Sequence, residues 1–106
     1  MATGILGQSA PSATTNTTVY TVPSATIASF NINICNRSSS TSAIVRIAIS
    51  ANGTPGNSEY IEYDVLVLPN SVLERTGLVA NATKNVVVYS DVANISVSVY
   101  GYEGAA

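Results

Sequence analysis

The chain has 106 residues and a formal charge of −2; it has no His, no Trp and one Cys, and 9% of its residues are charged. That composition excludes metal centres built on His and Cys clusters, catalytic triads that need an imidazole, and a disulfide within the chain. Four basic residues are too few to line a phosphate backbone, so nucleic acid is not an expected partner.

The length suits one domain. Asn, Ser and Thr make up 35 of the 106 residues, so polar positions are mostly uncharged. Five Asn-X-Ser/Thr sequons, at Asn16, Asn36, Asn52, Asn81 and Asn94, follow from that richness and are read as chance. Residues 1–16 are small and polar, with Ile5 and Leu6 as the sizeable apolar groups after Met1. Such a segment cannot bury enough surface to order itself. It is expected to be an extended N-terminal arm that docks on a partner through Ile5 and Leu6. Folding back on its own domain is the alternative. The arm has neither the basic n-region nor the apolar run of a secretory signal, so synthesis in a cytoplasm is expected. A free Cys35 fits a reducing compartment. Apolar runs reach about four residues, far below the ~20 of a membrane helix, so no membrane partner is expected.

From Thr17 the pattern turns to period two, and the β-sandwich domain is placed at 17–106. Thr17 to Val22 reads as a short strand stopped by Pro23 and Ser24. Thr26 to Cys35 alternates, with Ala28, Phe30, Ile32 and Ile34 on one face and Ser29, Asn31, Asn33 and Cys35 on the other. Asn36 to Ser42 is a polar turn. Ile44 to Ser50 alternates again, with Val45, Ile47 and Ile49 inward and Arg46, Ala48 and Ser50 outward. Ala51 to Ser58 holds two Gly and one Pro and reads as a loop. Glu59 to Leu68 is the next strand, broken by Pro69, Asn70 and Ser71. Val72 to Arg75 and Leu78 to Ala80 read as separate short elements around Gly77. Val86 to Ser90 and Asn94 to Tyr102 close the chain.

These are seven to eight short strands with turn signals every 8–12 residues and no helical period. The expected fold is all-β: an antiparallel β-sandwich, jelly-roll or Ig-like. Its outward positions carry Ser, Thr and Asn instead of the charges that usually keep sheet edges apart. Uncharged polar faces suit permanent burial against neighbours, which points to a component of an assembly and to a homo-oligomer.

Little in the sequence carries chemistry. Glu62 and Asp64 are two apart and are expected to share a strand face, either solvated and paired with Arg46 and Arg75 or, less simply, as a Ca²⁺ or acid/base pair. In Leu73-Glu74-Arg75, one of the two adjacent charges must turn inward and need a partner; Arg46 is the expected partner for Glu74. Cys35 has no His nearby in sequence or anywhere else to activate it. No catalytic residue, cofactor or metal ligand is assigned. Six tyrosines against one Phe suggest contacts with partners, because Tyr is apolar at one end and polar at the other. Tyr20, Tyr60, Tyr100 and Tyr102 join Ile5 and Leu6 as candidate partner-binding residues. Tyr60 and Tyr63, three apart, are expected on opposite faces of their strand.

Several segments, in order, resemble small structural proteins of tailed-bacteriophage virions, those of cyanobacterial and other aquatic phages above all. They are VYTVPSATIASFNINICNRSSS (Val19–Ser40), VRIAIS (Val45–Ser50), GTP and EYIEYDV (within Gly53–Val65), LERTG (Leu73–Gly77), KNVVVYS (Lys84–Ser90) and VSVYGYE (Val97–Glu103). The opening GILGQSAPSATTNT resembles the leader of these proteins. The resemblance implies a small β-sandwich present in many copies on the particle, without enzymatic activity. Its partners would be other virion proteins, capsid or tail subunits, and its place the virion. An accessory decoration or cement-like subunit is the first expectation. A receptor-binding or adhesion module of a tail fibre or baseplate, using the loops Asn36–Ser42 and Ala51–Ser58, is the alternative.

Overall fold

The period-two segments form strands in the computed structural model, which describes all 106 residues. In chain order they are β1 (Thr3–Ser9), β2 (Thr17–Thr21), β3 (Thr26–Asn36), β4 (Ala43–Ser50), β5 (Tyr60–Val67), β6 (Val72–Ala80), β7 (Asn85–Ser90) and β8 (Ile95–Ala105). A 3₁₀ turn at Asn57–Glu59 leads into β5, and there is no α-helix. Two four-stranded sheets form, ordered β1-β8-β3-β6 and β2-β7-β4-β5. Every pairing is antiparallel. Only β4 and β5 are consecutive and adjacent; every other connection crosses from one sheet to the other. That winding is the eight-stranded jelly roll, which decides between the two sandwich types expected.

The core lies between the sheets. Phe30, Ile32, Ile34, Val97 and Val99 from one sheet meet Val45, Ile47, Val86 and Val88 from the other, all at most 1% exposed. The inward positions of Thr26–Cys35 and Ile44–Ser50 are those the alternation predicts. Each fully buried Val, Ile or Phe contributes roughly 1.5–3 kcal/mol of transfer free energy. The core cluster holds 16 residues, Tyr20 among them.

Three features correct the sequence reading. First, residues 1–16 are no free arm. Thr3–Ser9 is an edge strand paired with β8 from Thr3↔Tyr102 to Ser9↔Val97. Leu6 packs against the core, Pro11 is buried, and the Thr14 amide donates to the Ser90 carbonyl at 2.8 Å. The segment is ordered by a non-local partner strand, so its low apolar content does not matter. Gly7 makes this possible: a Cβ there would run into the backbone carbonyl of Val19 on β2. Second, Val72–Ala80 is one strand. Its pairing with β3 shifts register between Phe30 and Ile32, where Gly77 (φ +72°) forms a bulge and donates its N–H to Asn31 Oδ1 at 3.1 Å. Gly77 therefore bends a strand and does not end one. Third, the β4–β5 pairing shifts register twice, between Val45 and Ile47 and between Ile47 and Ala48. Asp64 takes φ 54° at the first shift. These bulges reset which side chains of β5 share a face.

Candidate interaction surfaces and ligand site

Two of the polar ties between the sheets arise from inward-facing charges. Arg75 on β6 points between the sheets, pairs with Glu62 on β5 at 3.0 Å, and donates to the Ile61 carbonyl at 3.2 Å. Glu74, its neighbour, faces out and accepts from the Tyr100 hydroxyl at 3.4 Å. Arg46 is therefore not the partner of Glu74. At the opposite side of the sandwich, Tyr20 on β2 donates to Glu103 Oε2 on β8 at 2.5 Å, and the Ala2 amide donates to Glu103 Oε1 at 3.0 Å. The Tyr20 hydroxyl and the Ala2 amide hold the Glu103 carboxyl below its usual range. Burial and the adjacent carboxylate push the Tyr20 phenol well above its usual range. Tyr20 also meets Phe30 edge to face, with ring centroids 6.4 Å apart. It is a core residue, 8% exposed, and is not available to a partner.

The outer face of the β2-β7-β4-β5 sheet carries an aromatic cluster around Arg46. The bulges at Tyr63 and Asp64 bring Tyr60 and Tyr63 together, with rings 4.9 Å apart and nearly perpendicular. The expectation of opposite faces fails because it assumed an unbroken period of two. The Arg46 guanidinium lies 4.2 Å from the Tyr63 centroid and 4.8 Å from that of Tyr89. Its Nε donates to Asp64 at 2.6 Å. Glu62 and Asp64 thus serve different arginines and do not share a face. No three His, Cys, Asp or Glu side chains gather anywhere as a metal-binding group. Arg46, Tyr63 and Tyr89 were not singled out together from the sequence. Arg46 and Tyr89 both sit on outward positions, but their pairing across β4 and β7 depends on register.

Beside this cluster the loop Ala51–Ser58 is tied down. The Glu59 carboxylate accepts from the Gly56 amide at 2.8 Å, the Ser50 hydroxyl at 2.8 Å and the Ala51 amide at 3.0 Å. The Gly56 and Ala51 amides and then the Ser50 hydroxyl lower the Glu59 carboxyl below its usual range. Ala48, Ser50 and Val87 stand on outward positions yet are buried, which leaves less of this face open than alternation implies.

The outer face of the β1-β8-β3-β6 sheet is open and nearly uncharged. Register sets out its rows: Thr3, Tyr102, Ser29 and Val79; then Ile5, Tyr100 and Asn31; then Gln8, Ser98, Asn33 and Glu74. Gln8 Nε2 donates to Ser98 Oγ across the strands at 3.1 Å. Ile5, Tyr102 and Val79 are 57–59% exposed. Glu74 is the one charge in those rows. Of the candidate residues, the structure gathers Ile5, Tyr100 and Tyr102 here. Leu6 turns to the core, Tyr20 lies inside, and Tyr60 belongs to the opposite sheet.

At one end of the sandwich the Asn36–Ser42 turn and the β7–β8 connection form a shallow, open concavity of about 300 Å³, lined by Arg37, Ser38, Ser39 and Asn94, with Arg37 and Ser39 exposed. Asn36, 1% exposed, holds the turn: its Nδ2 donates to the carbonyls of Thr41 and Val67, and its Oδ1 accepts from the Ser38 amide. Arg37 Nη2 donates to the carbonyls of Ala93 at 3.1 Å and Ile95 at 3.4 Å. Comparison with family models, with curated proteins and with solved structures gives no match for this chain.

Proposed function

We propose that this protein is a non-enzymatic structural subunit of a tailed-phage virion. It is an accessory, decoration-like protein that binds the capsid or tail surface and associates with copies of itself. The observation that carries the proposal is the open face of the β1-β8-β3-β6 sheet. Ile5, Tyr100, Tyr102 and Val79 stand there among Ser, Asn and Gln, with Glu74 as the charge. Burying such a face removes apolar and aromatic area from water and desolvates few charges. The ordered resemblance of the chain's segments to small virion proteins supports the same reading. The N-terminal segment takes part as strand β1, through Ile5, and not as a free arm.

The alternative, an adhesion module on a fibre or baseplate, is separated from this reading by location. Gold-labelled antibody and cryo-imaging of purified particles are expected to place the protein over the capsid or along the tail surface. Label confined to fibre tips would favour adhesion. Particles free of the protein would overturn both readings.

A further inference from the structure

The cations of this chain are accounted for unevenly. Arg46 and Arg75 are each in an ion pair. Lys84, like Arg37, forms no ion pair within 4.0 Å, although its charge helps to lower the Glu59 carboxyl. Arg37 has no carboxylate within 4.0 Å, and it lines the concavity at the end of the sandwich. Its main-chain amide donates to the Asn94 carbonyl at 2.8 Å, and its Nη2 is held by the Ala93 and Ile95 carbonyls. These bonds orient the guanidinium and leave its charge unneutralised. Nε and Nη1 are engaged by no protein group.

The other lining groups are donors as well. The Ser39 hydroxyl and the Asn94 side-chain amide have no partner within the protein. Ser38 Oγ accepts from the Ser40 and Thr41 amides, so its own proton is still available. The lining has no acidic and no apolar side chain. A guanidinium offers a fork that matches the planar oxygens of a carboxylate or two oxygens of a sulfate. The concavity is open to solvent, and its volume is at the small end of ligand sites, which suits a small ligand group rather than a large one. The buried, fully bonded Asn36 keeps the turn in place without a ligand.

We propose that this concavity is a binding site for a small oxyanion, a carboxylate or sulfate group, either free or carried on an acidic saccharide. Arg37 binds the oxyanion through its free N–H groups, and Ser38, Ser39 and Asn94 donate to its remaining oxygens. The proposal concerns the isolated protein and does not depend on where the protein sits on a particle.

The test is a titration of the ¹⁵N-labelled full chain with sodium sulfate, glucuronate and glucose, followed by amide and side-chain NMR shifts. The expected result is saturable movement of the Ser38 and Ser39 amides, Arg37 Nε and the Asn94 side chain, with Kd in the millimolar range. Glucose is expected to move none of them. Glucuronate binding more tightly than sulfate identifies an acidic sugar as the source; equal affinity identifies the free anion. R37Q is expected to weaken binding about tenfold. Because Arg37 also holds two carbonyls, N94D provides an independent variant. It places a negative charge in the site, leaves the Arg37 bonds intact, and is expected to weaken binding as much without moving the unfolding midpoint. No saturable shift with either anion, shifts unchanged in both variants, or equal binding of glucose would overturn the proposal.

Discussion

Arg75 on β6 and Glu62 on β5 meet at 3.0 Å between the edge strands of opposite sheets, and Arg75 also donates to the Ile61 carbonyl. Both groups are partly exposed, so the ion pair itself contributes modestly. Removing one partner has a further cost, because it leaves the other charge half-buried with a bond unmade. R75M is expected to destabilise the protein by about 1–2 kcal/mol. E62Q is expected to lose less, about 0.5–1 kcal/mol, because the glutamine oxygen still accepts. Denaturant unfolding of both variants and their double mutant measures the coupling. Strict additivity would show that the pair does not tie the sheets.

The Tyr20–Glu103 contact and the Glu59 bonds predict a pH dependence on the acid side. Both carboxyls sit below their ordinary range in the folded protein. Above the unfolded value, about 4.3, they are charged in both states and their stabilisation is fully present. As pH falls below that, the unfolded chain takes up protons first, and stability drops until the folded values are passed. The unfolding midpoint is therefore expected to be level from about pH 5.5 to 8 and to fall below about pH 4.5. E103Q and E59Q are each expected to flatten part of that slope. An unchanged slope in the double variant would contradict the assignment.

On the alkaline side the sign reverses. Tyr20 keeps its proton in the folded protein above the ordinary phenol value, about 10. The unfolded chain loses that proton first, so stability falls as pH rises through 10 toward the folded value. Absorbance titration near 295 nm is expected to show one tyrosine that ionises only when the protein unfolds, and Y20F is expected to remove that step.

Strand β1 depends on its close approach to β2. G7A places a Cβ against the Val19 carbonyl and is expected to destabilise by about 2–3 kcal/mol. Hydrogen exchange is expected to show the loss of protection first in the amides of Thr3–Ser9, with β3 and β4 keeping theirs. Uniform loss across the sandwich would instead make β1 an inseparable part of the cooperative unit.

The sequence made the strands of the core legible because each buries one face, and a buried face enforces a period of two. Phe30, Ile32 and Ile34, and Val45 and Ile47, are inward as the alternation requires. What alternation cannot carry is a change of phase. Asp64 at φ 54° and Gly77 at φ +72° insert bulges that place Tyr60 beside Tyr63 and join Val72–Arg75 to Leu78–Ala80. β1 was hidden for a different reason. Its order comes from β8, at the far end of the chain, and from Leu6 and Pro11, not from a pattern of its own. The pairing of Glu62 and Asp64 with Arg46 and Arg75 was readable, and so was the inward turn of one charge at Glu74-Arg75; which arginine meets which carboxylate was not, since that needed the β5–β6 juxtaposition across the two sheets. The jelly-roll winding and the Arg37 concavity likewise exist only once distant turns meet.

The proposed contact face separates function from stability. Ile5, Tyr102 and Val79 are more than half exposed, so I5K, Y102K and V79K are each expected to change stability by no more than about 0.5 kcal/mol. Placed on the open sheet, each is expected to reduce incorporation into particles by desolvating a charge at the contact.

The most direct measurement of the central claim is quantitative incorporation of wild-type and Y102K protein into particles assembled without the endogenous copy, with cryo-imaging of the bound density. The account predicts regular wild-type density whose inner side is the β1-β8-β3-β6 sheet, and its loss in Y102K despite an unchanged fold. Density that contacts the particle through the Arg46–Tyr63–Tyr89 face, or equal incorporation of Y102K, would contradict it.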